Sequence, residues 1–238
     1  MCPLQSLLID FNDTLFDHTH SVERGLLALR DHLPALRAVE LDTLLSTYNR
    51  WLHIYCTQVL AGELTPEEAR LRRFERILYS CGIPTADLDL PAAVSVYRAA
   101  YYNAERAVPG AQALLAAIAE RGLSIAVVSN TATPQHLERL GLLPYVAALI
   151  TPEQAGDPKP DAAIFREALS TLCVEPSAAV MVGDSWSQDV LGARRLGIRA
   201  VWFNRHHDPH PEPGRTSSLT SLHPLERALS IVIAGHPN

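Results

Sequence analysis

The feature that most limits what this chain can fold into is the spacing of its β-forming runs. Short apolar, β-rich runs at residues 123–128, 146–150, 178–182 and 198–203 alternate with helical segments. That alternation predicts a parallel sheet joined by crossover helices. An opening run at residues 4–9 has the same character but stands apart from the others. Between it and the resumption at Val108-Pro109-Gly110 lies a block of about 90 residues with no strand pattern. Its segments 22–30, 41–60, 67–80 and 92–105 space apolar residues three and four apart, the period of a helix with one buried face. Thr65-Pro66-Glu67-Glu68 places an N-cap, a first-turn proline and acidic residues where a helix start needs them, and Cys81-Gly82-Ile83-Pro84 stops that helix. The expected fold is therefore α/β: a Rossmann-like parallel-sheet core from residues 1–16 and 107–238, with an all-α, four-helix domain, residues 17–106, inserted after the first strand. Residues 205–221, rich in His, Pro and Ser, read as an irregular excursion before a last helix at 225–233.

Composition removes several function classes. The 238 residues carry a formal charge of -6 with basic residues scattered, which gives no field for nucleic acid or an anionic membrane. An anionic substrate then needs a local positive site. The four cysteines, Cys2, Cys56, Cys81 and Cys173, include no C-x-x-C pair, so neither zinc nor a disulfide framework is indicated and a reducing cytoplasm fits. No apolar run reaches the roughly 18 residues of a membrane span, and no basic leader precedes one, so the chain is expected to start at Met1. Nothing in the sequence speaks to oligomeric state.

In a parallel α/β sheet, ligands sit beyond the carboxyl ends of the strands, and four such ends carry chemistry here. Run 4–9 ends in Asp10, run 123–128 in Ser129-Asn130-Thr131, and run 178–182 in Gly183-Asp184-Ser185, with Asp189 close behind. Lys159 is read as opening the helix after run 146–150. A carboxylate is a competent nucleophile toward phosphorus, but two anions must be neutralised before they meet. Magnesium, a hard cation with oxygen ligands, suits Asp10, Asp184, Asp189 and a main-chain carbonyl. Lys159 supplies a fixed positive charge, and the Ser129 hydroxyl donates to phosphoryl oxygens. Asn130 is a candidate phosphate donor.

These residues together resemble the haloacid dehalogenase superfamily, specifically its phosphatase branch with a helical cap after the first strand. Its D-x-D-x-T motif is matched by Asp10-Phe11-Asn12-Asp13-Thr14, its strand-closing Ser or Thr by Ser129, its lysine by Lys159 in DPKPDAAIF, and its G-D-x-x-x-x-D by Gly183-Asp184 through Asp189. The resemblance implies Mg²⁺, an aspartyl-phosphate on Asp10, a small phosphorylated substrate, and a cap that closes over it and selects it. It also implies that the main-chain carbonyl of Asn12 is a metal ligand.

One position departs from the motif. The family has an aspartate two residues after the nucleophile, as acid to the leaving oxygen and base to water; this chain has Asn12, and an amide does neither at neutral pH. The expectation is slowed turnover with binding retained. Two other readings stand beside it: a metal-free carbon–halogen hydrolase using the same aspartate, and a degenerate member that binds without turnover. Among the remaining candidates, Asp13 and Asp17 read as loop and hinge residues. The group His206, His207, Asp208 and His210 has the residue types of a metal site but reads rather as an exposed, proline-bearing loop. Tyr48, Trp51, Tyr101 and Tyr102 read mainly as helical core.

Overall fold

The computed structural model describes residues 3–234; Met1, Cys2 and residues 235–238 lie outside the described residues, and with them the reading of Cys2 and of the chain start. The chain divides into two compact units, one built from the residues up to Asp17 together with those from Arg106 onward, the other from His18–Glu105.

Strand β1 (Ser6–Ile9) opens the first unit. The second unit follows, with helices α1 (His18–His32), α2 (Leu41–Leu60), α3 (Pro66–Ser80) and α4 (Leu90–Asn103). The chain then returns to the first unit through α5 (Ala111–Ala119), β2 (Ser124–Val128), α6 (Pro134–Arg139), β3 (Ala148–Ile150), α7 (Pro152–Ala155) and α8 (Ala162–Leu172). It ends with β4 (Ala179–Gly183), α9 (Leu191–Arg194), β5 (Arg199–Phe203), β6 (Ser217–Leu219) and α10 (Leu225–Leu229). The strands form one six-stranded sheet in the order β3-β2-β1-β4-β5-β6, every pair parallel. The fold class is the one the alternation predicts. β1 and β4 are buried along their whole length, which is why their sequences run continuously apolar instead of alternating.

The helical unit is held by a tyrosine- and leucine-lined interior. α1 and α4 approach so closely that a β-carbon on Gly25 would lie 2.6 Å from the Tyr97 ring. Tyr97 donates its hydroxyl to that of Tyr48 at 2.9 Å, so the two buried phenols satisfy one another. α3 starts as its sequence dictates: Thr65 accepts from Glu68 N, and the Glu68 carboxylate accepts from Thr65 N at 2.9 Å. Among the described residues no helix is long and apolar enough to cross a membrane.

Three local expectations differ. The excursion at 205–221 contains β6, whose residues Ser217-Ser218-Leu219 are too short and polar to announce a strand. Pairing with the open edge of β5, Val201 to Ser217 through Phe203 to Leu219, imposes it. The last helix stays α-helical only to Leu229 and continues as a π-helical turn, Ser230–Ala234. Lys159 opens no helix: α7 follows β3 directly, and α8 begins only after Asp161, which caps it by accepting from Ala163 N at 2.8 Å.

Candidate active site

The strand order reverses direction at β1, with β2 and β3 on one side and β4, β5 and β6 on the other. A crevice forms at such a switch point, just past the carboxyl ends of the strands. Asp10 follows β1 there, its N–H donating to Val182 O of β4 at 2.9 Å. Ser129 follows β2 and Asp184 follows β4. The loop between α7 and α8 brings Lys159 to the same place, where it is only 4% exposed. Its ammonium donates to Asp10 Oδ1 at 2.5 Å and to Asp189 Oδ1 at 2.7 Å. Lys159 is the sole lysine of the chain; every other residue in the Lys+Arg count of 20 is an arginine. A compact ammonium with three donors serves both buried carboxylates at once. Lys159 is thus a buried, doubly paired cation.

Asp10, Asp184 and Asp189 offer carboxylate oxygens that all lie within 4.8 Å of one another. The turn after β4 makes this possible. Ser185 accepts from Gln188 N, and the π-helical turn Trp186–Val190 swings Asp189 back over the strand end. There Asp189 Oδ2 accepts from Ser185 N at 3.0 Å. Gly183 is required at this crossing, since a β-carbon would lie 2.3 Å from Asp189 Oδ2. Burial pushes the Asp189 carboxyl up to about 6, Lys159 opposing and Asp10 adding to the rise. Asp184 is held well above the usual carboxylate range by its packing and by the charges of Asp10, Asp189 and Asp13, against the pull of Lys159. Burial alone would lower the Lys159 ammonium, but Asp10 and Asp189 outweigh it and hold it above its ordinary value. Once all three are ionised, the carboxylates outnumber the one ammonium by two negative charges. An all-oxygen donor set with that excess fits a hard divalent cation such as Mg²⁺.

Ser129 is buried, and its Oγ accepts from Thr131 N at 3.2 Å and Ala132 N at 3.0 Å, which leaves its proton to donate. The Asn130 side chain turns to the main chain of Lys159 instead of to open space. Asn12 donates from Nδ2 to Thr131 Oγ1 at 2.9 Å. Asp13 adopts a left-handed backbone, φ 53°, and pairs with Arg205 at 3.6 Å. Asp17 is buried between Arg106 and Arg205. Burial would raise its carboxyl, but the two guanidinium groups prevail and hold it below the usual range. His206, His207 and Asp208 are exposed. His210 is not: its ring packs edge-on against Trp186 and Trp202, with Nδ1 accepting from Glu212 N and Nε2 facing Thr216 O. Tyr48 is core, while Trp51 and Tyr101 are half-buried and Tyr102 is exposed.

Sequence reasoning assigned no role to two residues that shape the Asp184 turn. Thr14 is fully buried, and its Oγ1 accepts from Asp184 N at 3.1 Å. Trp202, at the end of β5, donates its indole N–H to Asp184 O at 2.7 Å. Thr14 stands inside the D-x-D-x-T pattern, so a signal existed; Trp202 reads only as an apolar strand residue.

The model of the haloacid dehalogenase-like hydrolase family matches residues 4–197. Two curated relatives are a ribulose-1,5-bisphosphate 5-phosphatase from Halopiger xanaduensis, 37% identical over 55% of this chain and 54% of that one, and a phosphoserine phosphatase from Thermus thermophilus, 39% identical over 44% and 45%. The chain thus spans about half the length of these relatives. Among solved structures, a 2-haloacid dehalogenase from Pseudomonas syringae pv. Tomato DC3000 superposes with a TM-score of 0.62 at 27% identity, covering 95% of this chain and 98% of that one.

Proposed function

The chain belongs to the haloacid dehalogenase-like hydrolase family, and from that premise we propose that it is a magnesium-dependent phosphatase acting on a small phosphorylated metabolite through an aspartyl-phosphate on Asp10. The observation that carries this reading is the convergence of Asp10, Asp184 and Asp189 within 4.8 Å around a buried lysine. Asp10, Asp184 and the main-chain carbonyl of Asn12 would hold the cation. Asp189 has one oxygen on Lys159 and the other on Ser185 N, so it serves chiefly to fix the lysine. When bound there, the ion would supply positive charge to offset the carboxylate nucleophile and the phosphoryl group.

The protein's own groups do the rest. An Asp10 oxygen attacks phosphorus as the bond to the leaving oxygen breaks, the electron pair going to that oxygen. Lys159 and the Ser129 hydroxyl hold the equatorial oxygens while charge builds on them. Water then attacks the same phosphorus as the bond to Asp10 breaks, the electron pair returning to the Asp10 carboxylate and the proton of the water passing to solvent. Asn12 gives no proton to the leaving group and takes none from the water, so turnover depends on how readily the leaving group departs unaided.

The likeness to a dehalogenase supports a second reading, in which Asp10 attacks carbon and displaces halide. Three clustered carboxylates beside an anionic haloacid argue against it, since without a metal ion the Lys159 ammonium alone would offset them. The test is a phosphate-release assay on para-nitrophenyl phosphate with magnesium or with excess chelator, run on wild type and on Asp10→Asn. Magnesium-dependent release abolished in Asp10→Asn supports the phosphatase. Chelator-resistant chloride release from a 2-chloroacid, with no phosphate release, would replace it by the dehalogenase.

A further inference from the structure

The side-chain amide of Asn130 meets the Lys159 segment in both directions. Lys159 N donates to Asn130 Oδ1 at 2.8 Å, and Asn130 Nδ2 donates back to Lys159 O at 3.2 Å. The second amide hydrogen faces Gln188 Oε1 at 3.4 Å. Gln188 directly precedes Asp189, the carboxylate that receives the Lys159 ammonium. These contacts close a ring: the end of β2, the main chain of Lys159, its side chain, Asp189, Gln188, and the end of β2 again.

We propose that Asn130 is a positioning residue that sets where the Lys159 ammonium stands between Asp10 and Asp189. The proposal rests on the role given to Lys159 in the phosphatase reading. Lys159 lies on a loop, between Ala155 at the end of α7 and the Asp161 cap of α8. A loop alone does not fix a four-carbon side chain to a few tenths of an ångström. Clamping its N–H and C=O to one rigid planar group does, because that fixes the backbone from which the side chain departs.

The chemistry demands an amide. Aspartate is isosteric and accepts from Lys159 N, but its second oxygen carries no proton and would face Lys159 O and Gln188 Oε1, acceptor against acceptor. Alanine leaves both main-chain groups of Lys159 without this partner.

The sole lysine makes the test direct. In the metal-free protein, amine acylation with acetic anhydride can mark only Lys159 and the chain's α-amino group, which arginine-specific digestion places on separate peptides. The Lys159 side chain is 2% exposed, so wild type should resist acylation there. Asn130→Ala and Asn130→Asp, labelled well below their melting temperatures, should take up acetyl at Lys159. Both should lose about 10²-fold in kcat with KM little changed, the cost of misplacing a catalytic group by about an ångström. If folded Asn130→Asp stays as protected as wild type and keeps kcat within about 3-fold, the proposal is overturned. A lowered melting temperature with unchanged protection of the folded fraction also overturns it, since that is a purely structural role. The parent reading fails separately: Lys159→Met with full phosphatase activity would remove the lysine from catalysis, whatever the acylation result.

Discussion

Replacing Lys159 by methionine removes a charge while keeping a stem of similar length, so its effect on stability reports the electrostatics of the site and not a cavity. The ammonium bridges Asp10 and Asp189 in a nearly water-free setting. Removing one partner from such a buried arrangement costs about 3–5 kcal/mol, because a carboxylate is left buried without compensation. For a chain of this size that corresponds to a drop of roughly 6–20 °C in melting temperature. The loss must depend on pH. Burial already holds Asp189 up to about 6, and Lys159 is what restrains it from going higher; in the variant the carboxyl rises further. A folded-state value above the ordinary one stabilises the fold at low pH and loses that contribution as pH climbs through it. Lys159→Met should therefore lie far below wild type at pH 8 and approach it at pH 5, where Asp189 takes a proton instead of a neighbour's charge. Thermal melts of both metal-free proteins at pH 5, 6.5 and 8 measure this. A gap of equal size at all three values would mean that Lys159 acts through packing, and the charge argument would fail.

Magnesium should raise the melting temperature of wild type by about 5–11 °C at a hundred times its dissociation constant and pH 8, with little effect at pH 5, where the raised carboxyls of Asp184 and Asp189 hold protons; differential scanning calorimetry with and without chelator checks both. Gly183→Ala should cost about 1–3 kcal/mol, because its β-carbon displaces the Asp189 carboxylate from Ser185 N and Lys159; an unchanged urea midpoint would show that the turn yields freely. Asn12→Asp should speed hydrolysis of an alkyl phosphate by about 10²-fold or more and of para-nitrophenyl phosphate by less, the Thr131 hydroxyl turning to donate where it now accepts. Equal rates for the two proteins on both substrates would assign the acid and base to another group.

The strands of the sheet were legible where burial on both faces forces a continuous apolar run, as in β1 and β4. β6 was not, because its strand state comes from a partner edge and not from its own residues. The same division separates α3 from Lys159. A capping box is a local device, written in Thr65 and Glu68. The loop that delivers Lys159 is held from 29 residues away by Asn130, and no periodicity encodes that.

The site repeats this logic at finer scale. Residues that carry charge or a nucleophilic atom stand out at strand ends, since a carboxylate or lysine after an apolar run has no packing reason to be there. Residues that hold them in place are ordinary by type. Thr14 and Trp202 grip Asp184 from its N–H and its C=O, so the carboxylate between them is aimed by two side chains neither of which is acidic. Lys159 lies between these kinds: its class is visible, but that it is buried and paired follows only from three-dimensional convergence. That a chain otherwise written with arginine keeps one lysine, and keeps it where two carboxylates meet, ties the two levels together. On a solvated surface arginine serves as well as lysine; between Asp10 and Asp189 the one lysine of the sequence places a compact, three-donor ammonium that serves both buried carboxylates.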